Sequence, residues 1–88
     1  MDETKIEKIL KAVASKRRLS ILKQLRSRKE TPVNTIARQI KLSFRSTSKH
    51  LAILYASDLV EREQKSTLVY YRLSPKGIKV ISAINSVG

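Results

Sequence analysis

The sequence predicts one small domain of the mainly α (α+β) class, and three features of the chain lead to this prediction. Apolar residues recur at helical spacing up to Ala56. Between positions 60 and 73 the apolar period changes to two, which is typical of half-buried strands. A helical pattern then returns after Ser74-Pro75. Because 88 residues leave room for one core, we expect a single domain over residues 1–88.

The first two helices are predicted from their caps and apolar stripes. Thr4 and Glu7 have the spacing of a capping box, so the first helix is expected from about Thr4 to Ala14. Ser15 is the expected N-cap of the second helix. Both helices should turn one apolar side to a common core, through Ile6, Ile9, Leu10 and Val13 in the first and Leu19, Leu22 and Leu25 in the second, with Ile21 alongside.

The next two helices are short and closely spaced. Thr31-Pro32 indicates a helix start, with Thr31 as N-cap and proline at the first helical position. The apolar residues that follow at i, i+3, i+4 and i+7 are Val33, Ile36, Ala37 and Ile40. Lys41-Leu42-Ser43 leaves room only for a tight turn, after which Ser43 caps the second helix of the pair. Two short helices joined in this way have helix-turn-helix geometry, predicted here over about 33–56.

The second helix of this pair has two unlike sides. Its apolar side is formed by Thr47, Leu51 and Leu54, with Phe44 close by. Its opposite side carries basic and small residues, namely Arg45, Lys49, Ala52 and Ala56. A helix face of small and basic residues suits insertion into a groove lined with acceptors and phosphates.

A two-stranded β-hairpin is predicted over about 59–73, with strands from Val60 to Gln64 and from Leu68 to Leu73. Tyr70 and Tyr71 should point to opposite faces, one inward and the other toward any bound DNA, and the pattern leaves both assignments open. A helix-turn-helix followed by a basic hairpin is the order of a winged helix-turn-helix, in which the hairpin is the wing.

The last helix, expected over about 75–87, is apolar on more than one side. A domain of this size cannot easily bury such a helix, so a partner subunit is its natural cover. We therefore expect a homodimer formed by the N- and C-terminal helices. The expected interface residues are Ile6, Ile9, Leu10, Ile78, Ile81 and Ile84.

The charge of the chain points to a polyanionic partner. Nineteen Lys and Arg against seven Asp and Glu give a formal net charge of +12, which favours nucleic acid or an acidic membrane surface, although a merely well-solvated surface would have the same composition. The absence of cysteine excludes disulfides, Cys-ligated zinc and thiol chemistry. No apolar run is long enough to span a membrane, and we expect no signal peptide because the charged segment Met1–Lys5 is not followed by the apolar region of one. We expect a cytoplasmic, nucleoid-associated protein.

The candidate DNA contacts fall into three groups, each with an alternative role as ordinary solvated or capping groups. Arg45 and Lys49 can contact bases or phosphates, and Arg in particular can bond guanine with two donors. Arg72 has a further alternative, in which its charge shields a sheet edge. His50 is expected to border the core and bond locally, because it lacks the partners of a metal or catalytic site. The full set of candidates is Arg45, Ser46, Ser48 and Lys49 on the second helix of the pair, Thr35, Arg38 and Gln39 on the first, and Arg62, Lys65 and Arg72 on the hairpin.

Three blocks of the sequence, in order, resemble the ArsR-type bacterial and archaeal winged-helix repressors. They are Lys11–Leu22, which resembles the family's helix junction, Ser48–Leu54, which resembles its recognition helix, and Leu59–Leu73, which resembles its wing. The resemblance implies a dimer formed by the first and last helices, with one recognition helix per subunit in the major groove.

The chain departs from the family pattern at two kinds of position. Lys41, Asp58 and Ser66 stand where the family commonly has glycine. The Cys pair of the family's metal sites is missing, and the last helix has neither His nor carboxylate. We therefore expect no metal and no cofactor.

The leading hypothesis is a transcriptional regulator, acting as a repressor, that binds a pseudo-palindromic site on double-stranded DNA as a homodimer. A low-specificity architectural DNA-binding protein is the alternative, and a winged helix that binds protein or RNA is a third class. An enzyme is not expected, since the sequence has no nucleophile–base pair, no carboxylate pair and no glycine-rich phosphate loop.

Overall fold

The computed structural model describes residues 2–87 and confirms the predicted winged helix-turn-helix. Its elements, in chain order, are α1 (Glu3–Val13), α2 (Lys16–Arg28), β1 (Thr31–Pro32), α3 (Val33–Ile40), α4 (Phe44–Ala56), β2 (Val60–Lys65), β3 (Leu68–Leu73) and α5 (Pro75–Val87). Met1 and Gly88 lie outside the described residues.

Two of the four N-caps predicted from the sequence, Ser15 and Ser43, are observed in the structure. Ser15 Oγ accepts from the Arg18 N–H, and Ser43 Oγ accepts from the N–H of Ser46. The capping box at Thr4 is wrong, because α1 begins one residue earlier with Asp2 as its N-cap. Asp2 Oδ1 accepts from the Lys5 N–H at 2.9 Å and so takes the place predicted for the Thr4 hydroxyl.

The predicted N-cap at Thr31 is also wrong, and the sheet has three strands instead of two. Thr31 and Pro32 are extended and form β1, which pairs antiparallel with Tyr71 and Tyr70 of β3. The strand order is β1-β3-β2. Pro32 itself is the N-cap of α3 and makes no side-chain cap bond. The base of the wing is thus tied directly to the segment that leads into the helix-turn-helix.

Four residues other than glycine have a positive φ among residues 2–87. Three of them, Lys41, Asp58 and Ser66, have φ values of 57°, 62° and 58° and are the three positions where the family commonly has glycine. The fourth is Lys29, at φ 60° and ψ −133°. Each connects two elements through a tight turn, which is where a left-handed residue is needed.

The core is formed by residues of α2, α3, α4, the base of the wing and α5. Its fully buried side chains include Ile21, Leu22, Leu25, Ile36, Leu51, Leu54, Leu59 and Ile81. Phe44, predicted close to the apolar side of α4, keeps 60% of its surface exposed and lines a groove beside the buried Val33 and Tyr71. Gly77 brings α5 against the junction between α4 and β2, where an added Cβ would stand 2.0 Å from the Leu59 carbonyl oxygen.

The predicted dimer residues divide between surface and core. Leu10, Ile78 and Ile6 are 60%, 53% and 43% exposed, and Ile9 and Ile84 are half-buried. Ile81 is 0% exposed, so its prediction as an interface residue is corrected: it faces the protomer's own core. No helix within residues 2–87 is both long and apolar enough to cross a bilayer.

Candidate nucleic-acid interface

The turn between α3 and α4 fixes the start of the proposed recognition helix. Lys41 takes the left-handed conformation, and the N–H of Leu42 donates to the Ala37 carbonyl at 3.0 Å. Ser43 then caps α4 at an exposed position. The first turn of α4 is therefore held by its own caps and turns its free N–H groups to solvent.

The outer face of α4 carries two exposed cations. Arg45 and Lys49 are both exposed, and neither takes part in an ion pair among residues 2–87. Ser46 and Ser48 flank them and are half-buried. The opposite face of the same helix is closed against the core by Thr47, Leu51 and Leu54. The sequence pattern of two unlike sides is thus present in the structure.

Helix α3 packs against both α2 and α4 with its apolar residues buried. Of the three candidate contacts on this helix, Arg38 is exposed, and Thr35 and Gln39 are half-buried. They share its polar side, which points away from the core. The structure therefore leaves all three polar groups at or near the surface next to α4.

One face of the wing is turned toward α4. Arg62 and Tyr71 are opposite each other in the β2–β3 register. The Arg62 guanidinium carbon lies 4.2 Å from the centre of the Tyr55 ring on α4, and hydrogen bonding to Tyr71 raises the pKa of Arg62 above its usual value. The contact with the Tyr55 ring therefore holds the Arg62 guanidinium at the junction of helix and wing. A groove of about 540 Å³ runs between them, with Phe44 and Ser48 on its helix side.

The opposite face of the wing carries an ion-pair cluster centred on Glu30. Its carboxylate oxygens separately bond the Lys65 ammonium and Arg72 Nη1, the latter at 2.9 Å. Arg72 also bonds Glu61 at 3.0 Å and lies 3.5 Å from a Glu63 oxygen. The bond from Lys65 lowers the pKa of Glu30, and the same contact raises that of Lys65. The three predicted wing contacts are thus not brought together, since Lys65 and Arg72 lie on the face away from Arg62.

Glu30 is the residue that sequence reasoning missed. It lies 35 and 42 residues from its two partners, so no local pattern marks it.

The structure places Tyr70 and Tyr71 on opposite faces of the wing, and Tyr71 packs inward at 5% exposure. Tyr70 is half-buried on the Glu30 face, where the Lys65 ammonium lies 5.1 Å from its ring centre.

His50 is half-buried at the border of the core, as expected, but its hydrogen-bond partner is not local and lies 32 positions earlier on α2. Its Nδ1 lies 3.3 Å from Arg18 Nη1, and Arg18 Nε donates to the Ala12 carbonyl at 2.6 Å. Arg18 thereby joins the end of α1 to α4. Burial, followed by the charges of Arg18 and Arg17, lowers the pKa of His50 below its usual value. Within residues 2–87, no group of three or more His, Asp or Glu side chains is placed to hold a metal ion.

The amino-acid sequence is similar to those of known regulators of transcription. The profile of the family described as "Helix-turn-helix domain" matches residues 13–63. The arsenical resistance operon repressor of Bacillus subtilis is 33% identical over 84 residues, which cover 89% of this chain and 80% of that protein. The transcriptional activator HlyU of Vibrio cholerae is 36% identical over 73 residues, covering 83% and 67%.

A solved structure extends the match to the whole fold. The homodimeric winged helix-turn-helix DNA-binding domain Mb0332 of Mycobacterium bovis, described as a possible ArsR-family regulator, superposes with a TM-score of 0.88 at 28% identity. The alignment covers 96% of this chain and 78% of that one.

Proposed function

Since the chain belongs to the ArsR-type family of winged helix-turn-helix transcriptional regulators, we propose that it is a DNA-binding regulator. In this proposal it acts as a repressor and binds a pseudo-palindromic duplex site as a homodimer. It needs no metal or cofactor, performs no catalysis, and works at the nucleoid in the cytoplasm.

The observation that carries the proposal is the outer face of α4. Arg45 lies in its first turn and Lys49 one turn later, both exposed and without an ion pair among residues 2–87. Residues in the N-terminal part of a recognition helix contact base edges in the major groove. Arg45 would read guanine, whereas Lys49, Ser46 and Ser48 would bond phosphates or bases.

The elements around α4 supply phosphate contacts in this proposal. The polar side of α3, with Thr35, Arg38 and Gln39, would lie along the backbone. Arg62 is held beside α4 by Tyr55, so it would reach the phosphates next to the recognition helix.

Lys65 and Arg72 have a second role, because both already bond Glu30. We propose that this cluster fixes the angle of the wing. The exposed ammonium of Lys65 near the wing tip keeps donors for a phosphate.

The dimer would form through the apolar surface that the protomer leaves open. Ile6 and Leu10 of α1 and Ile78 of α5 are large apolar side chains at the surface. A dimer that docks in the usual way places its two recognition helices about 34–36 Å apart, one turn of DNA. The site should therefore consist of two half-sites with that spacing.

The alternative is an architectural protein that binds DNA with low sequence specificity, and the net charge of +12 is the observation that favours it. Selection of duplexes from a random pool at near-physiological salt, followed by sequencing, separates the two. Enrichment of a two-fold-symmetric motif supports the regulator, whereas binding without enrichment supports the architectural role. No binding to any duplex would contradict both and favour a protein or RNA partner.

A further inference from the structure

Phe44 is a large apolar side chain on the surface of the proposed recognition helix. It is the first residue of α4 and the only phenylalanine of the chain, and it keeps 60% of its surface exposed. Leu51 and Leu54 of the same helix are fully buried. Phe44 therefore leaves most of its surface to a binding partner, and aromatic side chains of this kind contribute strongly to interfaces.

The start of α4 holds Phe44 beside Arg45. Ser43 caps the helix by accepting the Ser46 N–H at 3.1 Å, and the left-handed Lys41 forms the preceding turn. Phe44 and Arg45 are consecutive and exposed in the first turn, the part of a recognition helix that contacts base edges. A duplex that receives this turn in its major groove would therefore meet the Phe44 ring together with the Arg45 guanidinium.

The side of α4 that carries Phe44 faces the wing and not the terminal helices. Phe44 and Ser48 form the helix side of the groove of about 540 Å³, and Arg62 lies on its wing side. None of the residues that line this groove belongs to α1 or α5, the helices of the proposed dimer. The neighbouring cations Arg45 and Arg62 favour a polyanion at this place over a second copy of the chain, whose own net charge is +12.

We propose that the Phe44 ring contacts the C5-methyl group of a thymine in the major groove and thereby selects a thymine in each half-site. The inference rests on the proposed function, since it requires α4 to lie in that groove. Thymine is the only base of DNA that presents an apolar group there, and phenylalanine is among the side chains that contact it. Because a phenyl ring has no conventional hydrogen-bonding group, the preference would come from the methyl group.

The test compares duplexes that differ by this methyl group. In the duplex selected from the random pool, each thymine is replaced in turn by deoxyuridine, in both half-sites at once, and affinities are measured by fluorescence anisotropy at one salt concentration. Deoxyuridine keeps the base pair and its hydrogen-bonding edge. Burial of one methyl group should be worth about fourfold, so the two replacements together should weaken binding about fifteenfold at the position that Phe44 contacts. No weakening at any thymine would overturn the proposal.

Variants of α4 assign the effect to the ring. Phe44→Ala should bind the thymine and deoxyuridine duplexes equally at the sensitive position, whereas Phe44→Leu, which keeps an apolar side chain, should retain part of the difference. Arg45→Ala is the matched control in the same turn: it should bind the selected duplex more weakly and keep the parent's ratio of thymine to deoxyuridine affinities. Each ratio compares two duplexes on one chain, so a change in the folded fraction cancels from it. A Phe44→Ala chain that keeps the parent's ratio would refute the contact.

Cytosine at the sensitive position gives a second readout, because a C5-methyl group can be added to it without changing its hydrogen-bonding edge. The parent chain should bind the 5-methylcytosine duplex about fourfold more tightly per half-site than the cytosine duplex, and Phe44→Ala should bind both equally. Equal binding of the two duplexes by the parent chain would count against the proposal.

Failure of this inference is distinguishable from failure of the proposed function. A two-fold-symmetric motif that is enriched, but whose binding does not change with deoxyuridine, refutes the contact by Phe44 and leaves the regulator supported. The absence of any enriched motif contradicts the regulator and this inference with it.

Discussion

Replacement of Gly77 by alanine tests how α5 is positioned against the rest of the fold. The new Cβ would stand 2.0 Å from the Leu59 carbonyl oxygen, a distance that real Cβ atoms essentially never show. That oxygen also accepts the Ser74 N–H at 3.1 Å, and the Ser74 hydroxyl accepts from the Gly77 N–H at 2.9 Å. The Leu59 carbonyl is a backbone group that already accepts a hydrogen bond from Ser74. It therefore cannot move away from the new Cβ without breaking the hydrogen bonds that hold the first turn of α5.

Two effects of opposite sign decide the magnitude. Alanine is favoured over glycine in a helix by up to about 1 kcal/mol. Overpacking of a closed site costs about 1–3 kcal/mol and occasionally more, and contact with backbone places this site at the upper end. We therefore expect Gly77→Ala to lower the free energy of unfolding by about 1–3 kcal/mol, which is at least about 4 °C in the thermal midpoint.

The assay is urea unfolding followed by circular dichroism, at one fixed protein concentration because the proposed dimerisation would make stability depend on concentration. Ser86→Ala, on the exposed side of the same helix, is the control for helix propensity alone. A Gly77→Ala chain that is more stable than the parent would refute the reasoning, since it would show that α5 does not approach Leu59 closely.

Three further predictions concern single side chains. Lys41→Gly should raise the free energy of unfolding by about 0.5–1 kcal/mol, because Lys41 has a left-handed backbone with φ 57°; a loss of stability in urea would contradict this. Thr47→Val should stabilise the chain by about 1 kcal/mol in the same assay, since the buried Thr47 hydroxyl finds no hydrogen-bond partner among residues 2–87; a destabilised variant would mean that the hydroxyl is bonded after all. His50 has a pKa below its usual 6.5 in the folded chain, so the unfolded chain takes up a proton first as the pH falls. Stability is therefore expected to decline on acidification through 6.5, and His50→Gln should remove that part of the decline in unfolding curves recorded from pH 8 to 5; an identical decline in the variant would assign it to other groups.

Local signals in the sequence were enough for the helices and for the unlike sides of α4. Ser15 and Ser43 are caps whose partners lie three residues away, so spacing alone identified them. Helical spacing alone also places Arg45 and Lys49 on the side of α4 opposite Leu51 and Leu54, so the two unlike sides could be predicted.

Features that depend on distant partners could not be predicted. Thr31 is a residue type typical of N-caps, but its backbone pairs with that of Tyr71, 40 positions later, and is therefore part of the strand β1. Glu30 acquires its role from Lys65 and Arg72, and Gly77 from Leu59, none of which a local window contains. The helical spacing of Ile81 was correct, but spacing cannot tell a face covered by the protomer from one covered by a partner.

The central claim, that the outer face of α4 reads DNA sequence, is tested most directly by a specificity ratio. Fluorescence anisotropy at one salt concentration gives the affinities for the selected duplex and for a scrambled duplex, in the parent chain, Arg45→Ala and Arg28→Ala. Loss of a bidentate base contact, about 1–3 kcal/mol, should lower the ratio about 5- to 150-fold per half-site in Arg45→Ala. Arg28→Ala removes the same charge outside α4 and should leave the ratio unchanged. An Arg45→Ala chain that keeps the parent's ratio would contradict the account.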